Sequence, residues 1–217
     1  MERQKDIIKP AGISIFIIIL FHLVGLAGFT VPAWQPLFKQ MVPWHLLLML
    51  LVIMASHKWL DAKFIVFTLV IALLGFTAEW LGVHGYWLFG HYSYGKTLGY
   101  KVLDIPLLIG VNWFLLVYAA GVCMQYTRLR SRLLRVLLGA GLLVLLDLLI
   151  EPVAIRFDYW QWLDRSIPLK NYGCWFLVSA IMLFIFEAFK FKKQNMAAPS
   201  LLLTQFVFFG VLYVILR

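Results

Sequence analysis

The sequence predicts an all-α polytopic integral membrane protein: one transmembrane domain over residues 1–217, built as a bundle of about seven helices. Three observations predict it. Of 217 residues, 63% are hydrophobic and 13% charged, whereas soluble domains are about half apolar and a quarter charged. The apolar residues gather in seven runs, most near the roughly 20 residues needed to cross a bilayer. Basic residues fall mainly in the short connections between runs, more of them on alternate sides.

The runs cover 11–31, 43–56, 64–83, 104–126, 133–155, 173–190 and 199–216. The first follows MERQKDIIKP and exceeds the usual apolar core of a signal peptide, so it reads as an uncleaved span; a cleaved signal ending near Ala33 is the alternative. The second is short and ends at Ser56-His57-Lys58. The third carries Glu79. The fourth begins at Asp104, and the fifth carries Asp147, Glu151 and Pro152. The sixth follows Tyr172. The seventh has no lysine, which argues against a retinal-type receptor held by a Schiff base.

Twelve basic residues lie on the side of the N-terminus, including Arg3, Lys5 and Lys9, and seven on the other, including Arg165 and Arg217. The bias predicts a multi-pass protein of the cytoplasmic membrane with its N-terminus inside and its C-terminus outside. It also accounts for the net charge of +9 without nucleic acid, since no basic helix is interleaved with exposed aromatic residues. Cys123 and Cys174 fall near opposite ends of different spans, so no disulfide is expected. His84 and His91 share a loop with acids nearby, but the other histidines are scattered and no dense histidine or cysteine cluster suggests a metal.

A weak repeat is visible. IPLLIGVNWF (105–114) and IPLKNYGCWF (167–176) share IPL, five residues and WF. Upstream, Glu79 precedes Tyr86-Trp87 as Glu151 precedes Tyr159-Trp160. Spans three and four would then match spans five and six in parallel, an arrangement that builds sites at the repeat interface; chance similarity between aromatic-rich segments is the other reading.

In this topology Glu79, Asp104, Asp147 and Glu151 reach a similar depth near one leaflet. Asp147 and Glu151 are four apart and share a helix face, which must look into the bundle because a carboxylate facing lipid costs several kcal/mol. Pro152 cannot donate to the Leu148 carbonyl, which adds a polar group beside the acids. One reading is structural, with the acids as glue paired to Arg156, Tyr94 or Asn112. The other is a buried, wet, acidic site. Two carboxyl groups in such a site can divide the work, one as general acid and one as base. The loops nearby are rich in rings: HGYWLFGHYSYG holds Tyr86, Trp87, Phe89, Tyr92 and Tyr94, and FDYWQW adds Phe157, Tyr159, Trp160 and Trp162. They read as an interfacial aromatic belt or as a lid on a flat apolar ligand whose rings also stabilise a cation.

The stretch AEWLGVHGYWLFGHYSYG…DIPLLIGVNWF, followed by LLDLLIEPVAIRFDYWQW…IPLKNYGCWF, resembles the CruF-type carotenoid biosynthesis family over roughly residues 75–180. It departs from the family pattern at Cys174, where a glycine is expected. The resemblance implies a carotenoid hydratase, adding water across the terminal double bond of an acyclic carotenoid end group to give a tertiary alcohol, with no cofactor. It implies a lycopene-like or monocyclic carotene substrate, water and the lipid bilayer as partners, and other carotenoid-pathway enzymes as candidate partners. In that chemistry Glu151 or Asp147 supplies the proton, and its ionised partner, with Glu79 or Asp104, offsets the cation and deprotonates water. Trp160, Trp162 and Trp175 face the cation. Asn171 and Tyr172 orient water, a helix-start hydrogen bond being the alternative for Asn171. Tyr94, Asn112 and Trp113 complete the substrate-binding set. Two other classes remain: an end-group cyclase or isomerase that begins with the same protonation, and a proton-coupled transporter or binding protein for an apolar lipid.

Overall fold

A computed structural model describes residues 11–164 and 166–216. Arg3, Lys5, Lys9, Arg165 and Arg217, which enter the charge asymmetry, lie outside the described residues. Seven helices long and apolar enough to span a membrane account for most of the chain: α1 (Gly12–Thr30), α2 (Gln35–Ser56), α3 (Ala62–Gly85), α4 (Leu108–Gln125), α5 (Arg132–Arg156), α6 (Leu169–Phe189) and α7 (Ala197–Ile215). The strands are very short: β1 (Tyr92–Tyr94), β2 (Lys101–Val102), β3 (Ile105–Pro106) and β4 (Trp160–Trp162).

Three helices differ in extent from the apolar runs. α2 begins eight residues before the expected start, at Gln35, with a proline in its first turn and Pro43 inside it. Pro43 removes one backbone bond without ending the helix, a disturbance that neighbouring helices accommodate in membrane bundles. α6 begins directly after Pro168, so Asn171 and Tyr172 belong to its first turn rather than to the preceding loop. The fourth span does not begin at Asp104. Leu103 and Asp104 have φ of 50° and 62° and form the tight turn between β2 and β3, the conformation of a two-residue hairpin. The helix starts only at Leu108.

α4 is the central helix, with every residue from Trp113 to Val122 buried. Around it, α3 packs on α4, α5 on α6, and α1 on α7. The α3–α4 contact is close because Gly110 faces the Ala72 carbonyl and Gly75 faces the Trp113 side chain. Cys123 and Cys174 are both free.

At the end of the bundle where α3 and α5 finish, their two loops pair. β1 runs antiparallel to β4 with Tyr92 opposite Trp162 and Tyr94 opposite Trp160. Both strands alternate buried, exposed, buried, so all four rings point to the same interior. Asp158 fastens this pairing by accepting from the Lys96 backbone N–H at 3.2 Å. It is a loop staple, not a member of the acidic group.

At the opposite end, His57 caps α2. Its Nδ1 lies 2.5 Å from the Tyr118 hydroxyl and its ring stacks on Phe64. Burial lowers its pKa to about 4 against a weaker opposing pull from Asp61. Below pH 6.5 the unfolded chain takes up a proton that the folded chain refuses down to about pH 4, so stability should fall as pH drops through that window. Thermal unfolding in detergent at pH 7 and pH 5 should show a larger loss for the wild type than for His57→Gln. Equal losses would remove His57 from the pH dependence.

Candidate active site

The acidic group is assembled from α3 and α5. Glu79, Asp147 and Glu151 are 4%, 0% and 1% exposed. On α3, Gly75 and Gly82 stand four residues before and three residues after Glu79, on the same face. A Cβ at Gly75 would meet Trp113, and one at Gly82 would sit 2.5 Å from the Tyr92 hydroxyl. Their bareness lets both partners reach Glu79. Trp113 Nε1 donates to Oε1 at 2.8 Å, and the Tyr92 hydroxyl to Oε2 at 2.6 Å. Tyr94 places a second hydroxyl beside it.

Glu151 accepts from Trp160 Nε1 at 3.0 Å and Trp162 Nε1 at 2.8 Å on Oε2, and from Asn171 Nδ2 at 3.0 Å on Oε1. The same Asn171 nitrogen donates to Asp147 Oδ2 at 3.0 Å, so one amide ties the two acids of α5 to α6. The other Asp147 oxygen, Oδ1, is buried without a hydrogen-bond partner. Among the described residues no lysine or arginine pairs with any of the three acids; Arg156 is exposed. The partnered carboxylate oxygens are therefore held by indole, phenol and amide donors rather than by countercharges.

Between these groups lies a cavity of about 20 Å³, lined by Glu79, Glu151, Tyr92, Tyr94, Asn171 and the rings around them. It is large enough for one water molecule. Glu79 and Glu151 face it; Asp147 does not line it. Trp175 also lines it and stacks on Trp113, centroids 4.4 Å apart. These are the two tryptophans that the IPL…WF pattern equates.

A second, larger space adjoins the first. An apolar groove of about 370 Å³ runs between α1, α2, α4, α5 and α7, and it shares Ile109 and Trp160 with the small cavity. Phe21, Val24, Leu37, Met41 and Trp44 form part of its wall and are exposed on the outside of the bundle.

Most expected residues meet here. Glu79, Glu151, Tyr94, Trp160, Trp162, Asn171 and Trp175 surround the cavity, Trp113 backs it, and Asn112 lines the groove. Tyr172 is half-buried beside the group, and the hydrogen bonds to the carboxylates come from its neighbour Asn171. The Asn171 side chain is engaged with acids, not with a helix start. Asp104 stands apart. Its turn leaves the side chain 84% exposed and 3.8 Å from His84 Nε2, because the chain reverses at that residue before α4 begins. The expected four acids are thus three in the buried group. Tyr92 was not among the expected site residues although it holds Glu79 directly; the alternation Tyr-Ser-Tyr, matched by Trp-Gln-Trp, was its signal. The groove residues His22, His45 and Gln205 were also absent from that set. Among the described residues no cluster of histidine, cysteine and acid could hold a metal ion.

Residues 40–217 match the carotenoid biosynthesis protein family. The chain belongs to that family. The match is wider than the stretch from 75 to 180 that carries the sequence resemblance, and takes in α7 and most of α2. Within the family's reach is bisanhydrobacterioruberin hydratase of Haloarcula japonica, 27% identical over 133 residues. That similarity covers 58% of this chain, and the chain spans about half, 45%, of the relative's length. No solved structure matches. Family membership places the chain in carotenoid biosynthesis, and seven spanning-length helices make it a multi-pass membrane protein.

Proposed function

We propose that the chain hydrates the terminal double bond of an acyclic carotenoid end group. The observation that carries this reading is the one-water cavity between two buried glutamates, which shares Trp160 and Ile109 as common wall with an apolar groove. The hydratase relative adds support. The polyene lies in the groove and presents its end group past Trp160.

Hydrogen-bond chemistry suggests the division of labour. The three partners of Glu151 are indole N–H groups and an amide N–H, which can only donate, so Glu151 is suited to remain a carboxylate. Tyr92, a hydroxyl, can also accept, so Glu79 can carry a proton on Oε2 without losing its partner. Glu79 then protonates the terminal alkene at the less substituted carbon. The π electrons form the new C–H bond and leave a tertiary cation, which the rings of Trp160, Trp162 and Trp175 and the negative charge of Glu151 stabilise. Water attacks the cation and gives its proton to Glu151. Return of that proton to Glu79 completes a net addition of one water, and no redox cofactor enters the balance. Asp147 positions Asn171 and so Glu151. The end of the bundle carrying Lys58, Lys63, Arg128, Arg130, Arg132, Arg135, Lys190, Lys192 and Lys193 is read as the cytoplasmic one.

The test is expression in a host that accumulates acyclic carotenoids, grown in heavy-oxygen water, with pigment masses read afterwards. One labelled water per modified end is expected. A product of unchanged mass would replace hydration with cyclisation or isomerisation, and unaltered pigment beside well-expressed protein would point to transport or binding.

A further inference from the structure

A separate polar space lies at the other end of the bundle, where α4 and α6 finish and α5 begins. It is a cavity of about 300 Å³ and shares no residue with the one-water cavity or with the groove. Met124, Phe186 and Phe191 form its apolar lining. Four cations also line it, Arg132, Arg135, Lys190 and Lys193, against a single acid, Glu187. Arg135 and Glu187 cancel each other. Arg135 Nε and Nη2 donate to the two Glu187 oxygens at 2.8 and 2.5 Å, and Nη1 donates to the Leu129 carbonyl at 2.8 Å. This two-pronged pair ties the start of α5 to the end of α6 and fixes one wall of the cavity. Among the described residues no carboxylate pairs with Arg132, Lys190 or Lys193. Lys193 is placed by packing instead, its Nζ 4.0 Å from the centroid of the Tyr126 ring. Three positive charges thus surround one half-enclosed space, and they repel one another more strongly beside apolar side chains than in open water. Orientation in the bilayer accounts for basic residues at this end, but not for their convergence on a cavity.

We propose that this cavity binds the phosphate of an anionic phospholipid, with Arg132, Lys190 and Lys193 as its donors and the Arg135–Glu187 pair as its frame. A phosphate diester has oxygens that accept from guanidinium and ammonium groups at once, and its negative charge relieves the repulsion among them. Basic pockets between spans serve as headgroup sites in membrane proteins. The surface beneath the cavity favours a lipid over a free phosphate. Leu138 stands three residues beyond Arg135, and Phe184 three before Glu187, each about one turn deeper on the same helix face. Both side chains are exposed on the outside of the bundle. Acyl chains attached to a phosphate in the cavity then lie along them. The site is independent of the acidic group, and hydration does not enter its test.

Thermal unfolding of the full chain in neutral detergent tests it, because a ligand that binds the folded state raises the midpoint with its concentration. Three probes are compared at matched ionic strength: dioctanoyl phosphatidylglycerol, dioctanoyl phosphatidylcholine and inorganic phosphate. Wild-type protein should need about tenfold less phosphatidylglycerol than phosphatidylcholine for the same rise, since the choline cation of the latter faces three cations. The advantage should shrink as salt is added. A variant with Arg132→Gln and Lys193→Gln should lose most of that preference. Its charge-matched control carries Arg128→Gln and Arg130→Gln, two exposed residues at the same end that do not line the cavity, and should keep it. The midpoint of each variant without lipid reports its folding. Equal responses of the wild type to the two lipids would overturn the proposal without any variant. An equal loss of preference in both variants would replace the cavity with diffuse surface charge. Inorganic phosphate as effective as phosphatidylglycerol would overturn the lipid as occupant and put a soluble phosphate in its place.

Discussion

Glu151→Gln and Glu79→Gln should each fold and lose hydration by a factor of about 10³, the usual worth of a positioned general acid or base. Both replacements keep the shape of the side chain and most of its bonds. At position 151 the glutamine oxygen still accepts from Trp160 and Trp162, while the bond from Asn171 is lost because its amide nitrogen stays turned to Asp147. At position 79 the glutamine oxygen accepts from Trp113 and the NH₂ donates to Tyr92. What disappears is the ability to gain and release a proton in front of the cavity. Labelled-water incorporation, normalised to folded protein by gel filtration, measures the effect. Wild-type rates in a well-folded Glu79→Gln would remove Glu79 as the acid. Asp147→Asn is the informative comparison. It does not line the cavity and acts through Asn171, so its loss should be smaller than that of either glutamate. A deficit as deep as theirs would bring Asp147 into the proton-transfer steps.

Much of this site is legible in the sequence because ionisable residues in hydrocarbon have few tolerable placements. Glu79, Asp147 and Glu151 interrupt otherwise apolar runs, and the cost of facing lipid turns them inward together. Asn171 and the tryptophans follow from their proximity to those acids in the two matched stretches. Asp104 misleads for a physical reason. It abuts an apolar run as a helix start would, but a hairpin turn of two residues with positive φ intervenes, and hydropathy does not register a turn that short. The pairing of β1 with β4 is similarly hidden. Three residues of alternation are too few to announce a strand, and the partner lies some seventy residues away. The groove is legible least of all, since it is made where five helices fail to fill a space, and no single run records that. The two tryptophans that the matched stretches equate stack on each other, but Glu79 and Glu151 are held by different chemistry, so the bonds that define the site do not confirm the repeat.

Gly110→Ala should lower the unfolding midpoint in detergent by on the order of 10 °C and reduce hydration with it. The added Cβ would lie 2.5 Å from the Ala72 carbonyl oxygen and 3.1 Å from its carbon. Alanine is the better helix former by about 1 kcal/mol, but this overlap is with backbone and no rotamer relieves it. Overpacking of that kind costs about 1–3 kcal/mol or more, so steric cost wins over propensity. The only relief is to move α3 away from α4. The separation is felt one turn along, where Trp113 on α4 reaches Glu79 on α3 across the same interface at 2.8 Å. Gly82→Ala separates the two consequences. Its Cβ would meet the Tyr92 hydroxyl and the Phe89 ring rather than backbone, and side chains yield more readily than backbone, so stability should fall less than in Gly110→Ala while the hydrogen bond to Glu79 is lost and hydration drops. If Gly110→Ala proves as stable as the wild type, the close α3–α4 approach is not what holds this part of the bundle. If Gly82→Ala hydrates normally, the Tyr92 hydroxyl is dispensable, and with it the argument that Glu79 keeps its proton by having a partner able to accept.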